Sequence, residues 1–193
     1  DSKICPSANA NLKMIAVRFP KHKIIKNLLK KLNFPLAIPS ANISTKISPI
    51  SALDVIDEFG KNINFVLDGG RSKIGLESTV INLYGNIKIM RPGAISKKAI
   101  GKTLGKNISI SKKVNKLNSP GLLKRHYSPG IPIRLNCKKA DNKAAFIVFG
   151  KKYKRGKYIF NLSPRGNLKE AGKNLYKILR KVKNLNFKKI NVV

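Results

Sequence analysis

The spacing of apolar residues divides the first half of the chain into short strand signals and amphipathic helices. Apolar runs bounded by turn residues predict strands, and these runs are residues 13–18, 35–38, 65–67, 80–84 and 87–90. Apolar residues at helical spacing predict helices over residues 22–32, 51–59 and 97–104. Gly60 follows the second helix as a stop signal, and Ser96 precedes the third as an N-cap.

The second half repeats this alternation after a stretch of different character. Residues 106–132 are polar, show no sustained periodicity and contain the turn pairs Pro120-Gly121 and Pro129-Gly130, which indicates a linker. Further strands are predicted at residues 144–149, 158–162 and from 190, and a helix at 168–182. We therefore predict an α/β protein with a first domain at residues 1–105, a linker at 106–132 and a second domain at 133–193.

A polar loop follows the predicted strand at residues 35–38. It contains Ser40 and Asn42, whose hydroxyl and amide can both donate to one phosphate or carboxylate. Ligands of open α/β sheets bind beyond the carboxyl ends of the strands, where this loop lies. The alternative is a helix-capping turn, because Ser and Asn favour turns without any ligand.

Two arginines occupy similar places at the ends of predicted strands. Arg18 and Arg91 each follow apolar strand residues and stand close before a proline, and Ser78 lies in a third strand-end loop. A guanidinium held at a strand end can bind a carboxylate or phosphate through two hydrogen bonds. Each arginine alone is also compatible with a surface salt bridge. Together with the two serine-bearing loops they favour a convergent anion site.

Charge and composition restrict the function less than these loops do. The 193 residues include 41 Lys and Arg against 8 Asp and Glu, a formal net charge of +33. This excess favours polyanionic partners, but a Lys-rich composition that decorates every solvated face explains it equally. The cysteines, Cys5 and Cys137, lie far apart and indicate neither a disulfide scaffold nor a zinc site. No apolar stretch suits a membrane helix, so we expect a cytoplasmic protein without membrane contact.

Several motifs, in order along the chain, resemble the YrdC-type L-threonylcarbamoyladenylate synthases. The matching segments are residues 17–20, 35–42, 48–49, 67–70, 75–80 and 91–95. The two-domain branch of that family is matched by residues 119–121, 124–129, 162–164, 170–171 and 174–176. The resemblance implies a first domain with a twisted open sheet and a concave basic face, joined by the linker to a small Rossmann-like second domain.

The resemblance also implies a reaction. L-threonine, bicarbonate and ATP give threonylcarbamoyl-AMP and pyrophosphate, and a downstream tRNA threonylcarbamoyl transferase system uses the product to modify adenosine at position 37 of tRNA. The step needs positioning and charge stabilisation rather than a covalent nucleophile. Mg²⁺ would be carried by the substrate phosphates, and tRNA or double-stranded RNA would be a further partner.

Site roles carry over from the family residue by residue. Arg18 would bind the threonine carboxylate, Ile38 would line that pocket, and Ser78 would sit at the threonine or carbamoyl end. The nucleotide-binding residues would be Ser40, Asn42, Ser48, Arg91 and Tyr127. His126, beside Tyr127 in the linker, would help to cover the mouth of the site; its other interpretation is a surface histidine.

The chain departs from the family pattern beside the nucleotide loop. Lys46 stands near a usual glycine and Ile50 at a usual threonine. The family's Lys-x-Arg segment would precede Asp1, so we expect a chain truncated at both ends that is inactive as a fragment. The main rival hypothesis is a non-catalytic module that binds double-stranded RNA or tRNA. Related carbamoyl-transfer maturation enzymes are a weaker rival, because they carry zinc-binding cysteine pairs that Cys5 and Cys137 cannot supply.

Overall fold

A computed structural model describes residues 5–9, 11, 13–111, 127–141, 143–154 and 156–193. It contains seven short strands and four α-helices in the described ranges, which give the predicted α/β fold. The first half holds α1 (Lys23–Lys30), α2 (Ala52–Phe59), β1 (Val80–Asn82), β2 (Lys88–Arg91), α3 (Lys97–Leu104) and β3 (Ser109–Ile110). The second half holds β4 (Ile133–Arg134), β5 (Ala145–Val148), β6 (Ile159–Asn161), α4 (Leu168–Asn184) and β7 (Ile190–Val192). Two short 3₁₀ helices, Pro6–Asn9 and Gly60–Asn62, complete the described elements.

The first sheet has the order β1-β2-β3. β1 and β2 form an antiparallel pair in which Val80 lies opposite Arg91, with an irregularity in register between Val80 and Ile81. β3 joins β2 in parallel. Ile89 of β2, Ile100 of α3 and Ile108 form the buried core under this sheet. The pairing places the residues just before β1 beside the end of β2, where Arg91 lies.

The second sheet is entirely parallel, with the order β4-β7-β5-β6. β5 is buried at every position, as a strand covered on both faces should be. α4 crosses from β6 to β7 and is capped by Asn167, whose side chain accepts hydrogen bonds from the backbone N–H groups of Lys169 and Glu170. The helix buries an apolar stripe that includes Tyr176, Leu179 and Val182.

Residues from both halves of the chain meet in the larger of two hydrophobic clusters. Ile47 and Ile50, which precede α2, are buried in the same cluster as Tyr176, Leu179 and Val182 of α4. This packing is continuous with the core of the second sheet. The segment at residues 47–50 is therefore positioned by the second half of the molecule as well as by its own neighbours.

The structure corrects three of the predicted strands. Residues 13–18, 35–38 and 65–67 form no strand ladder in the part of the chain that the structure describes. Their apolar side chains are largely exposed, with Val17 at 85% and Phe65 at 95%. An apolar run shows that a segment can be buried, but a strand also needs a hydrogen-bonded neighbour, which the run cannot specify.

The boundary of the predicted linker also changes. Ser109–Ile110 pairs with β2 as β3, so the first sheet includes residues that the sequence analysis assigned to the linker. Residues 112–126 of the linker lie outside the described residues. The remaining domain boundaries and the concave basic face stay predictions. No helix in the described ranges is long and apolar enough to cross a membrane.

Candidate functional site

Arg91 is the centre of a buried polar cluster at the end of β2. The residue is only 9% exposed. Its Nε and Nη2 both donate to the carbonyl oxygen of Ser78, at 3.1 and 2.9 Å. Its Nη1 donates to the hydroxyl oxygen of Tyr127 at 3.0 Å. The antiparallel pairing of β1 with β2 explains the contact with Ser78. Val80 lies opposite Arg91, and Ser78 is only two residues before Val80.

Glu77 joins this arginine to a second loop. Its Oε2 lies 3.9 Å from Arg91 Nη2, and its Oε1 accepts a hydrogen bond from the buried hydroxyl of Ser48. One carboxylate therefore connects the loop before β1 with the segment before α2. A hydrogen bond to an ionised group is stronger than one between neutral groups, so this connection holds the two loops in a fixed relation.

Tyr127 reaches the cluster from the end of the linker. Its ring stacks on Tyr176 of α4 with centroids 5.9 Å apart and an interplanar angle of 27°. Burial raises the pKa of Tyr127, and the negative charge of Glu77 raises it further against the opposing effect of Arg91. The phenol is therefore neutral near pH 7, and its oxygen can accept the Arg91 hydrogen bond.

Asn42 organises the polar loop after residues 35–38. Its side-chain amide donates to the carbonyl oxygens of Ile43 and Lys46 at 2.9 and 3.1 Å. The backbone N–H of Asn42 donates to the Ser40 carbonyl at 2.9 Å. The Oδ1 atom of Asn42 is buried and has no hydrogen-bond partner among the described residues. A buried acceptor without a donor costs free energy, which a ligand with an N–H or O–H group could recover.

The end of the linker is attached to this same loop. The backbone N–H of Ser128 donates to the Thr45 carbonyl at 2.9 Å, and Lys46 and Ser128 form a parallel β-bridge. Thr45 and Tyr127 both have positive φ, 71° and 55°. The contact thus places Tyr127 between the polar loop and Arg91.

Gly93 brings the chain after β2 against the loop before β1. A Cβ atom at this position would lie 2.5 Å from the Glu77 carbonyl oxygen and 2.6 Å from the Ser78 carbonyl carbon. Real Cβ atoms do not approach backbone this closely. Nearby, the Thr79 hydroxyl donates to the Ile95 carbonyl at 2.8 Å and accepts from the Ile95 N–H at 3.1 Å. Only glycine therefore allows the two loops to stack.

The structure brings together some of the predicted site residues. Contacts join one group of them into a continuous network, consisting of Ser40, Asn42, Ser48, Ser78, Arg91 and Tyr127. Arg18 and Ile38 are exposed, and among the described residues no side-chain hydrogen bond or ion pair joins them to this network. His126 lies outside the described residues.

Two features of the network were not predicted from the sequence. Glu77 lies in the matched segment at residues 75–80, but it was assigned no role. A carboxylate in a loop that carries a candidate site residue indicates an ion pair with an arginine. Tyr176 lies in the matched segment at residues 174–176, but it too was assigned no role. The prediction that Arg91 pairs with phosphate stays a prediction, since its Nε, Nη1 and Nη2 atoms donate to Ser78 and Tyr127.

A basic pocket lies elsewhere on the first half. It measures about 510 Å³ and is lined by Lys97, Lys98, Gly101, Gly105, Lys106 and Asn107. None of these is a predicted site residue. Within the described ranges, no group of three or more His, Cys, Asp or Glu side chains could hold a metal ion.

The two sheets and the helices packed against them define the molecule as an α/β protein. Comparison with known proteins identifies the family. Residues 1–93 match the Sua5, YciO and YrdC family profile, described as "Telomere recombination", and residues 95–193 match the profile described as "Threonylcarbamoyl-AMP synthase, C-terminal domain". The chain belongs to this family, in the branch that carries the C-terminal domain, which confirms the resemblance.

Curated relatives carry the same description. The chain is 32% identical to a threonylcarbamoyl-AMP synthase of Bacillus subtilis (strain 168), over 79% of the chain and 44% of the relative. It is 38% identical to that of Pyrococcus abyssi, over 68% of the chain and 41% of the relative. The synthase of Schizosaccharomyces pombe is 37% identical, over 68% and 35%. The chain thus spans less than half the length of these relatives.

Solved structures of one relative match the fold. The crystal structure of P. abyssi Sua5 complexed with L-threonine superposes with a TM-score of 0.82 at 30% identity, over 98% of this chain and 61% of that chain. A variant of the same protein, with an adjacent histidine and tyrosine both replaced by alanine, superposes with a TM-score of 0.76 at 27% identity, over 98% and 60%.

Proposed function

We propose that this chain is part of a threonylcarbamoyl-AMP synthase, which joins L-threonine, bicarbonate and ATP into threonylcarbamoyl-adenylate and releases pyrophosphate. The carrying observation is the network around Arg91, which links the polar loop, the loop before β1 and the linker through Ser48, Glu77 and Tyr127. These segments are distant in the sequence. Their convergence is what a site for two substrates requires.

The chemistry of the reaction suits the residues in the network. A carbamate oxygen attacks the α-phosphorus of ATP, the bond to the pyrophosphate oxygen breaks, and negative charge develops on the phosphate oxygens. Fixed cationic and hydrogen-bonding groups lower the barrier of such a step without a covalent intermediate. The network offers a guanidinium, hydroxyls and amide groups of this kind.

The nucleotide-binding residues are proposed to be Ser40, Asn42, Ser48, Arg91 and Tyr127. The unpaired Oδ1 of Asn42 would accept a hydrogen bond from the substrate. Arg91 would act mainly by holding Ser78 and Tyr127 in place, since its donors already reach them. The positive charge of Arg91 would still stabilise the phosphate of a bound nucleotide.

Arg18, Ile38 and Ser78 are proposed to form the threonine end of the site. A relative of known structure binds L-threonine, and an arginine is suited to its carboxylate. The exposed position of Arg18 leaves its side chain available to reach a substrate. The carbonyl oxygen of Ser78 accepts a hydrogen bond from Arg91 Nε. The Ser78 hydroxyl would therefore lie near Arg91 in the site.

The linker is proposed to cover the site and exclude water from a hydrolysable product. This chain has an adjacent histidine and tyrosine in the linker, His126 and Tyr127, and a relative was solved with an adjacent histidine and tyrosine replaced by alanine. The attachment of Ser128 to Thr45 and of Tyr127 to Arg91 gives the linker its docking points.

Mg²⁺ is proposed to enter with ATP. Magnesium sites commonly combine one or two carboxylates with substrate phosphates and water. Glu77, the carboxylate of the network, is engaged by Ser48 and Arg91, so the phosphates would supply the main ligands. The product would pass to a downstream tRNA threonylcarbamoyl transferase system, and a cytoplasmic location is proposed for the protein.

The test is pyrophosphate release by the full-length protein. We expect release only when ATP, L-threonine and bicarbonate are all present, with omission of each substrate as the control. Release without threonine would contradict the proposal.

The net charge of +33 favours one alternative function, a module that binds double-stranded RNA or tRNA without catalysis. Salt-sensitive RNA binding without any pyrophosphate release would favour that alternative.

A further inference from the structure

α4 of the second half packs directly against two loops of the candidate site. On one side, Tyr176 and Leu179 share a core with Ile47 and Ile50, which flank Ser48. On the other side, Gly172 of α4 approaches Leu76, next to Glu77. The helix therefore touches the segments that carry both partners of the Ser48–Glu77 hydrogen bond.

The second of these contacts is close enough to require glycine at position 75. A Cβ atom on Gly75 would lie 2.8 Å from the Cα and the carbonyl oxygen of Lys173, and one on Gly172 would lie 2.9 Å from Leu76 Cδ1. Gly75 also has a φ of +73°, a backbone conformation that favours glycine. The backbone before Glu77 thus lies against the backbone of α4, and a small shift of the helix would move it.

Arg180 adds a hydrogen bond to the contact between α4 and residues 47–50, and it forms two ion pairs with α2. Its Nη2 donates to the Ile47 carbonyl oxygen at 2.8 Å. Its Nε lies 3.9 Å from Asp54 Oδ2, and its Nη1 lies 4.0 Å from Glu58 Oε2, so two carboxylates of α2 orient the guanidinium. Asp54 Oδ2 also accepts the backbone N–H of Ile50 at 2.8 Å. The backbone of residues 47–50 is therefore held at both ends.

We infer that Arg180 is a positioning residue for the nucleotide side of the site and that it acts through the Ile47 carbonyl. That carbonyl and the N–H of Ser48 belong to one rigid peptide plane. Fixing the carbonyl therefore fixes the backbone of Ser48, whose hydroxyl binds Glu77 and through it Arg91. In this arrangement α4 of the second half is part of the site's supporting structure.

This inference rests on the proposed function only for its kinetic readout. Its structural readout is hydrogen exchange of residues 42–50 in the full-length protein without substrates. Arg180→Met removes the charge-assisted hydrogen bond, so we expect these amides to exchange about tenfold faster while β5 keeps its protection. Lys177→Met is the matched control, because Lys177 is an exposed cation on the same helix, and it should leave both regions unchanged.

The kinetic readout separates positioning from general destabilisation. We expect Arg180→Met to raise the KM for ATP about tenfold, as loss of one charge-assisted hydrogen bond implies, with the KM for threonine within about twofold. Arg180→Lys keeps the charge and most of the side chain but loses the planar fork. It should show an intermediate KM and supplies the folded variant if Arg180→Met does not accumulate.

The outcomes distinguish the two hypotheses. A wild-type protein that releases no pyrophosphate, combined with faster exchange at residues 42–50 in the Arg180 variants, would reject the proposed function and support the inference. An active wild type, with unchanged exchange and unchanged KM for ATP in both Arg180 variants, would overturn the inference alone. Equal rises of KM for ATP and threonine would also overturn it, because they would show a general loss of structure.

Discussion

The guanidinium of Arg91 joins Ser78 to Tyr127, with Nη2 2.9 Å from the Ser78 carbonyl oxygen and Nη1 3.0 Å from the Tyr127 hydroxyl oxygen. One side chain therefore fixes the position of the linker relative to the loop before β1. The hydroxyl of Tyr127 is the point at which this connection can be broken with the least change in volume.

Tyr127→Phe removes the acceptor of the Arg91 hydrogen bond but keeps the ring that stacks on Tyr176. A lost hydrogen bond to a charged group costs about 1.5–3 kcal/mol, and we expect most of it to appear as weaker docking of the linker. Product formation per pyrophosphate released should fall, because water reaches the adenylate. Tyr84→Phe is the control, since Tyr84 is 73% exposed. An unchanged ratio of product to pyrophosphate in Tyr127→Phe would contradict the role of the linker.

The raised pKa of Tyr127 predicts how its contribution depends on pH. Burial stabilises the neutral phenol, so the folded state holds this proton more tightly than the unfolded state does. The contribution is complete below the unfolded pKa of about 10 and is lost as pH rises above it. Between pH 7 and 9, wild type and Tyr127→Phe should therefore have activity profiles of the same shape. An alkaline limb in this range that disappears in Tyr127→Phe would contradict the assignment.

The hairpin at the centre of the site was predictable because its signals are local. The turn at residues 84–86 separates two apolar runs. β1 lies within the strand predicted at residues 80–84, and β2 overlaps the one predicted at 87–90 but extends one residue further, to Arg91. Ser96, predicted as an N-cap, accepts a backbone N–H in the first turn of its helix, and Ser51 does the same for α2. Such features depend on residues three or four positions apart.

The tertiary links of the site were not predictable from the same signals. Glu77 meets Ser48 across 29 positions, and Arg180 meets Ile47 across 133. A single sequence contains no spacing that identifies such pairs. The prediction of a strand at residues 13–18 was wrong for a related reason. Its apolar side chains do not identify a neighbouring strand with which the segment could pair.

The two arginines should differ in what they affect. Arg18 is exposed, so Arg18→Ala should leave the melting temperature unchanged and raise the KM for threonine about tenfold or more through loss of the carboxylate contact. Arg91 is buried and hydrogen-bonded, so Arg91→Lys should lower the free energy of unfolding by about 1–3 kcal/mol and impair use of ATP. Thermal melts and separate substrate titrations measure both effects. Equal and small effects on the two substrates would show that the assignment of ends is wrong.

Gly93 offers a test of the loop stacking that does not remove any polar group. Gly93→Ala places a methyl group 2.5 Å from the Glu77 carbonyl oxygen, so the backbone of one loop must move. We expect a loss of about 1–3 kcal/mol in the free energy of unfolding, as for other overpacked sites, together with weaker binding of both substrates.

Gly156→Ala is the matched control for this substitution. The nearest atom to a Cβ at Gly156 is Ile159 Cδ1 at 3.2 Å, the end of a flexible side chain that can turn away. Its backbone does not have the positive φ that would strain alanine, so restriction of the unfolded chain should make the change neutral or slightly stabilising. Denaturant unfolding of the two variants gives the comparison. If Gly93→Ala is as stable and as active as Gly156→Ala, then the loops before β1 and after β2 are not stacked as described, and the position of Arg91 against Ser78 would need another cause.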